Sequence, residues 1–277
     1  MKFSLCNEVL APLPFAEQCK IAAALGYSGM EVAPYTVTDD PAAMSDGEAR
    51  QLTRIAADHG LVITGLHWLL VKPEGLSITS ADAAVHAKTV AFMRRLCELA
   101  AAMGASYLVH GSPKQRQVAD GTTKEYALAR AQSAFAAAGE AARSNAVTYC
   151  IEPLSSDQTT LINTVAQAAE IVRNISNPHL LTMIDTSSAG LAETEPVASL
   201  LARWLPTGLI GHAQLNDPNR RGPGQGAMQF GSILNALHSG GYGGWVAVEP
   251  FEYVPDGIGC AARAIGYLNG LLEDARR

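Results

Sequence analysis

Short apolar runs alternate with Ala- and Leu-rich stretches of helical composition along the whole chain. The candidate strands are Lys2–Cys6, Gly29–Val32, Val62–His67, Tyr107–His110, Thr148–Glu152, Leu181–Asp185, Ile210–Leu215 and Trp245–Glu249. Helical patterns lie near Phe15–Leu25, Glu48–His59, Ala81–Met103, Tyr126–Ser144, Val165–Asn174, Pro196–Trp204, Phe230–Ser239 and Gly257–Ala275. Strands buried on both faces read as near-continuous apolar runs, and alternation with helices implies parallel pairing. Eight such units at spacings of about 30 residues predict a closed (β/α)8 TIM barrel, with residues 1–277 as one domain. Gly26, Gly60 and Gly104 each follow a helix, where a residue with positive φ is often needed. An open doubly wound sheet would carry a Gly-rich phosphate fingerprint after its first strand. Here that strand leads into Asn7-Glu8-Val9-Leu10-Ala11-Pro12, and Gly222-Pro223-Gly224-Gln225-Gly226 comes far too late.

Composition narrows the partners. A net charge of -6 over 277 residues argues against a phosphate-backbone binder, so no nucleic-acid partner is expected. The five cysteines form no CxxC pair, which fits a reducing cytoplasm rather than a disulfide framework or a thiolate zinc site. No signal peptide is evident in Met1–Asn7, and no run reaches about 18 apolar residues, so no membrane span is expected.

Chemistry is signalled where polar residues interrupt apolar strands. Glu152, Asp185 and Glu249 end their strands, and His212 and Gln214 share one face of the seventh. In a barrel these residues converge on one rim. Buried carboxylates need pairing or a cation. Alone, Asp185 reads equally well as a helix N-cap, and His212 as a hydrogen-bonded core histidine. Jointly the set predicts an oxygen-rich site suited to Mn2+ or Mg2+, with Co2+ or Zn2+ as further options.

The segments Ile151-Glu152-Pro153-Leu154, Asn163-Thr164, Ile184-Asp185-Thr186, Asn216–Gly224 and Val248-Glu249-Pro250-Phe251 carry a resemblance in this order and spacing. The chain resembles the xylose-isomerase-like superfamily of sugar epimerases and isomerases, which includes tagatose/psicose 3-epimerases and hydroxypyruvate isomerases. The resemblance implies a metal held by Glu152, Asp185, Glu249 and a residue of the seventh strand. In the 3-epimerase pattern that ligand lies six residues before an arginine; counting back from Arg220 gives Gln214. His212 then lies one step deeper, supporting the ligands or the substrate. Two positions depart from the 3-epimerase pattern: Gln158 stands where it has Glu, and Ser188 where it has His.

The expected chemistry is proton transfer on a keto-sugar or sugar phosphate through an enediolate, with Glu152 and Glu249 as the acid–base pair. Arg220 is expected over the substrate oxygens, with a loop salt bridge to Asp217 as its other reading. His67 and Trp68 are candidate walls for a sugar, or plain core-edge residues. His110, Lys114 and Arg116 are candidates for an anion loop, while Glu31 either reaches the site or pairs within the barrel. Gln158 and Ser188 complete the candidate substrate contacts. Alternatives are a 3-keto-glycoside lyase on the same metal site, a DNA-repair endonuclease with three zinc ions, and a catalytically silent binding protein. Assembly as a dimer or tetramer is a further option.

Overall fold

The computed structural model describes residues 1–274. Eight parallel strands pair in sequence order: β1 (Lys2–Cys6), β2 (Gly29–Val32), β3 (Val62–Leu66), β4 (Tyr107–His110), β5 (Thr148–Ile151), β6 (Leu180–Asp185), β7 (Ile210–Leu215) and β8 (Trp245–Val248). β1 pairs with both β2 and β8, so the sheet closes. The helices are α1 (Phe15–Leu25), α2 (Asp46–Asp58), α3 (Ala83–Ala102), α4 (Lys124–Ser144), α5 (Val165–Ile175), α6 (Thr186–Ala192), α7 (Val197–Trp204), α8 (Phe230–Ser239) and α9 (Gly257–Asp274). The fold is the expected (β/α)8 TIM barrel. The expected helix end at Ala275 lies outside the described residues.

Where the elements differ from expectation, local chemistry gives the reason. β3, β5 and β8 stop one residue before His67, Glu152 and Glu249, whose backbones leave the regular ladder. Each is still tied by one bond: the N–H groups of His67, Glu152 and Glu249 donate to Val32, His110 and Leu215 at 3.1, 3.2 and 3.2 Å. Helix α2 starts at Asp46 rather than Glu48, because Ser45 caps it and Glu48 returns a bond to the Ser45 N–H. Two helices, α6 and α7, stand between β6 and β7 where one was expected, the first capped by Asp185.

Alternation along each strand sorts the side chains. Leu108, Ile151, Ile184, Ala213 and Val248 join the main core between barrel and helices. Tyr107, Val109, Cys150 and Met183 form a separate cluster inside the barrel. Residues two positions apart on a strand share a face, so Glu152 follows Cys150 inward and Asp185 follows Met183. Among the described residues no helix is long and apolar enough to cross a membrane.

Candidate active site

The carboxyl ends of β5, β6 and β8 bring three acidic side chains together. Glu152, Asp185 and Glu249 are all buried, and each offers an oxygen within 4.8 Å of the other two. Gly111 makes room for this: a Cβ there would stand 2.1 Å from Glu152 Oε2. Behind the cluster, Arg116 is fully buried and donates from Nη1 to the Glu152 carbonyl at 2.8 Å. Asn216 braces the other side, donating to the Glu249 carbonyl at 2.9 Å and accepting from the Ser187 N–H at 2.8 Å. Asp185 Oδ1 accepts from the Ser188 N–H at 2.7 Å, which caps α6.

Burial dominates the electrostatics. It pushes the Asp185 carboxyl up to about 6, against the hydrogen bonds from Ser188 and Asn216 that hold it down. Burial, with Asp185 beside it, raises Glu152 far above the usual carboxylate range. Burial, followed by Glu152 and Glu8, does the same to Glu249. Asp185 Oδ2, Glu249 Oε2 and Gln214 Oε1 are buried without hydrogen-bond partners. Such oxygens are costly to bury uncompensated, and a hard divalent cation would satisfy them. The donor set fits that ion.

Gln214 stands beside Asp185 in the β6–β7 register. Its Nε2 donates to Glu31 Oε1 at 2.7 Å. Glu31, fully buried on β2, is the hub of a network that the sequence left undecided. Tyr107 donates its hydroxyl to Glu31 Oε2 at 2.5 Å, and His212 Nε2 lies 2.9 Å from the same oxygen. Burial opposes the charge on Glu31, but His212, His67 and Tyr107 together hold its pKa down to about 2. His212 is therefore a buried partner of Glu31, stacked on the Tyr107 ring at 4.0 Å, and is not among the residues lining the cavity.

That cavity is lined by Trp68, Gly111, Ser112, Pro113, Glu152, Leu154, Gln158, Glu249 and Phe251. Trp68 and Gln158 therefore line the same space as both glutamates. Gln158 donates to Ser155 Oγ at 3.0 Å and reaches Ser188 Oγ at 3.4 Å, so the two departures from the 3-epimerase pattern touch each other. His67 lies just beneath, with Nε2 2.7 Å from Glu8 Oε2 and 3.8 Å from Glu249 Oε1. Burial would lower the His67 pKa, but Glu8 and Glu31 raise it.

Two expected substrate contacts lie elsewhere. His110 faces outward between β4 and α4: its Nδ1 bonds the Tyr149 hydroxyl at 2.6 Å and its ring meets Phe135 edge-on. Val109 takes the inward face, so the next residue must turn away. Burial, then Arg116, lowers His110 to about 3, which keeps it neutral. Arg220 is exposed, its guanidinium 5.1 Å from the centre of the Phe251 ring, and it is not among the residues lining the cavity. It meets Asp217 only through the backbone, N–H to carbonyl at 2.7 Å. The anticipated anion loop is tied down by Arg116, while Lys114 is exposed.

Glu8 and Gly111 gave no usable sign in the sequence. Glu8 follows β1 in a short 3-10 turn with no periodic pattern, and a glycine after β4 reads as an ordinary turn residue.

A D-psicose 3-epimerase of Agrobacterium fabrum is 27% identical over 275 residues, covering 95% of this chain and 89% of that protein. The solved structure of an L-ribulose 3-epimerase superposes with a TM-score of 0.85 at 21% identity, covering 100% of this chain and 96% of the other. A 3-keto-D-glucoside 4-epimerase of E. coli gives a TM-score of 0.82 at 18% identity, covering 98% and 99%. A sequence model described as the xylose isomerase-like TIM barrel matches residues 19–269, and the chain belongs to that family.

Proposed function

We propose that this protein is a divalent-metal-dependent keto-sugar epimerase or isomerase working by proton transfer through an enediolate. The observation that carries this reading is the meeting of Glu152, Asp185 and Glu249 within 4.8 Å at one rim of the barrel. The epimerase activities of the relatives support the substrate class.

Glu152, Asp185, Gln214 and Glu249 would hold the cation. When bound, it supplies a Lewis acid that stabilises negative charge developing on the substrate carbonyl and neighbouring hydroxyl. Glu152 and Glu249 line one cavity, and in this reading the reacting carbon lies between them. One carboxylate takes the proton from the carbon next to the carbonyl, and the electron pair moves onto the carbonyl oxygen. The other returns a proton to that carbon from the opposite face, which inverts the centre. Return to the neighbouring carbon instead exchanges aldose and ketose. His67, bonded to Glu8, lies 3.8 Å from Glu249 and sets part of its electrostatic surroundings. Trp68 and Phe251, with ring centres 6.1 Å apart, form an apolar wall that keeps water from the carbanion face.

The test is incubation of the Mn2+-loaded protein with D-psicose, D-fructose and L-ribulose in heavy water. Deuterium at one carbon of an epimerised or isomerised product is the expected result; no exchange with any ketose removes the reading. A second reading is favoured by Gln158 and Ser188, which replace both polar residues of the 3-epimerase pattern and bond each other. It is abstraction of the same α-proton from a 3-keto-glycoside, followed by expulsion of the β-substituent; its signature is released aglycone.

A further inference from the structure

Gln214 is an ambiguous metal ligand by chemistry, because only one end of a primary amide can bind a cation. Its oxygen is an acceptor and its NH2 a donor, and the two ends have nearly the same shape. A site that relies on glutamine must therefore fix which end faces the ion. Here Gln214 Nε2 lies 2.7 Å from Glu31 Oε1, while Gln214 Oε1 is buried with no hydrogen-bond partner. Turning the amide over would set its oxygen against a carboxylate oxygen at that same distance, two acceptors in contact with no proton between them.

Glu31 is itself immobilised. Its Oε2 accepts from the Tyr107 hydroxyl at 2.5 Å and sits 2.9 Å from His212 Nε2. The Tyr107 ring is pressed over Gly65, where a Cβ would stand 2.1 Å from Tyr107 Cε2. Tyr107 also stacks on His212, so neither ring can swing aside independently. The carboxylate is thus anchored at Oε2 by Tyr107 from β4 and faced there by His212 from β7, which leaves Oε1 as a fixed acceptor for Gln214.

We propose that Glu31 is a positioning residue that locks the Gln214 amide with its oxygen toward the cation. This rests on the metal reading of Gln214 given above. Outer partners of metal ligands typically contribute ten- to hundredfold in affinity. Replacing Glu31 by Gln keeps the shape but lets position 31 donate to the Gln214 oxygen, which would turn the wrong end of the amide to the ion.

The experiment is calorimetric titration of chelator-treated protein with Mn2+ alone, in a cycle of wild type, Glu31→Gln, Gln214→Ala and the double variant, with thermal melts to verify folding. Glu31→Gln is expected to weaken Mn2+ binding at least tenfold in the wild-type background. In the Gln214→Ala background it is expected to change affinity less than about threefold, because no amide remains to orient. An equal loss in both backgrounds would mean that Glu31 acts through its charge alone, and the inference fails. An unchanged affinity in Glu31→Gln overturns it as well. If Glu31→Gln melts too low to titrate, Tyr107→Phe, which removes one anchor of Glu31, must reproduce a weakening that depends on Gln214; its absence also overturns the inference. A wild-type protein that binds no Mn2+ would instead overturn the metal reading itself.

Discussion

Gly111→Ala separates the geometry of the acid–base pair from the stability of the fold. The backbone at 111 is not in the left-handed region, so alanine is conformationally acceptable there. The added methyl would meet Glu152 Oε2 at 2.1 Å, and an ordinary contact begins at 3.4 Å, so the carboxylate must retreat by about 1.3 Å. The atom that yields is the end of a side chain rather than backbone, which keeps the folding cost at the low end of overpacking, about 1 kcal/mol. A displacement of about 1 Å in a reacting group can cost on the order of a hundredfold in rate. The assay is kcat/KM on the best ketose beside urea unfolding of the same preparation. A fall of on the order of a hundredfold with a stability loss near 1 kcal/mol is expected. Activity within threefold of wild type would show that the carboxylate has slack, and the argument from close approach would be wrong.

Further outcomes follow from the same site. Glu249→Gln should reduce turnover by at least about a thousandfold and raise the melting temperature of the metal-free protein, since it removes a carboxyl whose ionisation burial opposes; a lowered melting point would contradict this. Asp185 has its carboxyl raised from 3.8 to about 6, so the folded state holds more protons than the unfolded state between those values. Metal-free protein should therefore lose stability as pH rises through about 4 to 6, while the stabilisation gained on adding Mn2+ should grow over the same window. Melts at pH 4.5 and 7 with and without the ion check both signs. Tyr107→Phe deprives buried Glu31 of a donor and should cost about 1–3 kcal/mol in urea unfolding, with a loss below about 0.5 kcal/mol counting against the hub.

The barrel was legible because period and punctuation agree: apolar strands, helix-forming stretches and the glycines after them all point the same way. The carboxylates were legible for a related reason. A charged residue directly after a buried strand is conspicuous, and alternation fixes the side it faces. Asp185 takes the N-cap role with Oδ1, which leaves Oδ2 unpartnered beside the other carboxylates, so the cap does not use up the residue. His110 shows the limit. It also ends a strand, but one residue out of phase with the inward face, and composition alone does not reveal that phase. Arg220 lies in a loop, where no periodicity constrains direction, and its stacking on Phe251 depends on a backbone turn with φ 68°. Glu8 joins His67 across 59 positions of sequence, a pairing set wholly by barrel closure.

The polar hub at Glu31 also predicts how these sequences vary. Its partners come from strands far apart in the chain, Tyr107 on β4 and His212 with Gln214 on β7. An apolar residue at 31 would leave an imidazole and an amide each searching for a partner in a dry interior, and the Tyr107 hydroxyl with Thr64 alone. Single steps away from this arrangement are therefore costly, whereas simultaneous exchange need not be. Family members without an acid at this place should differ at all three companions, so the four positions should covary as a block.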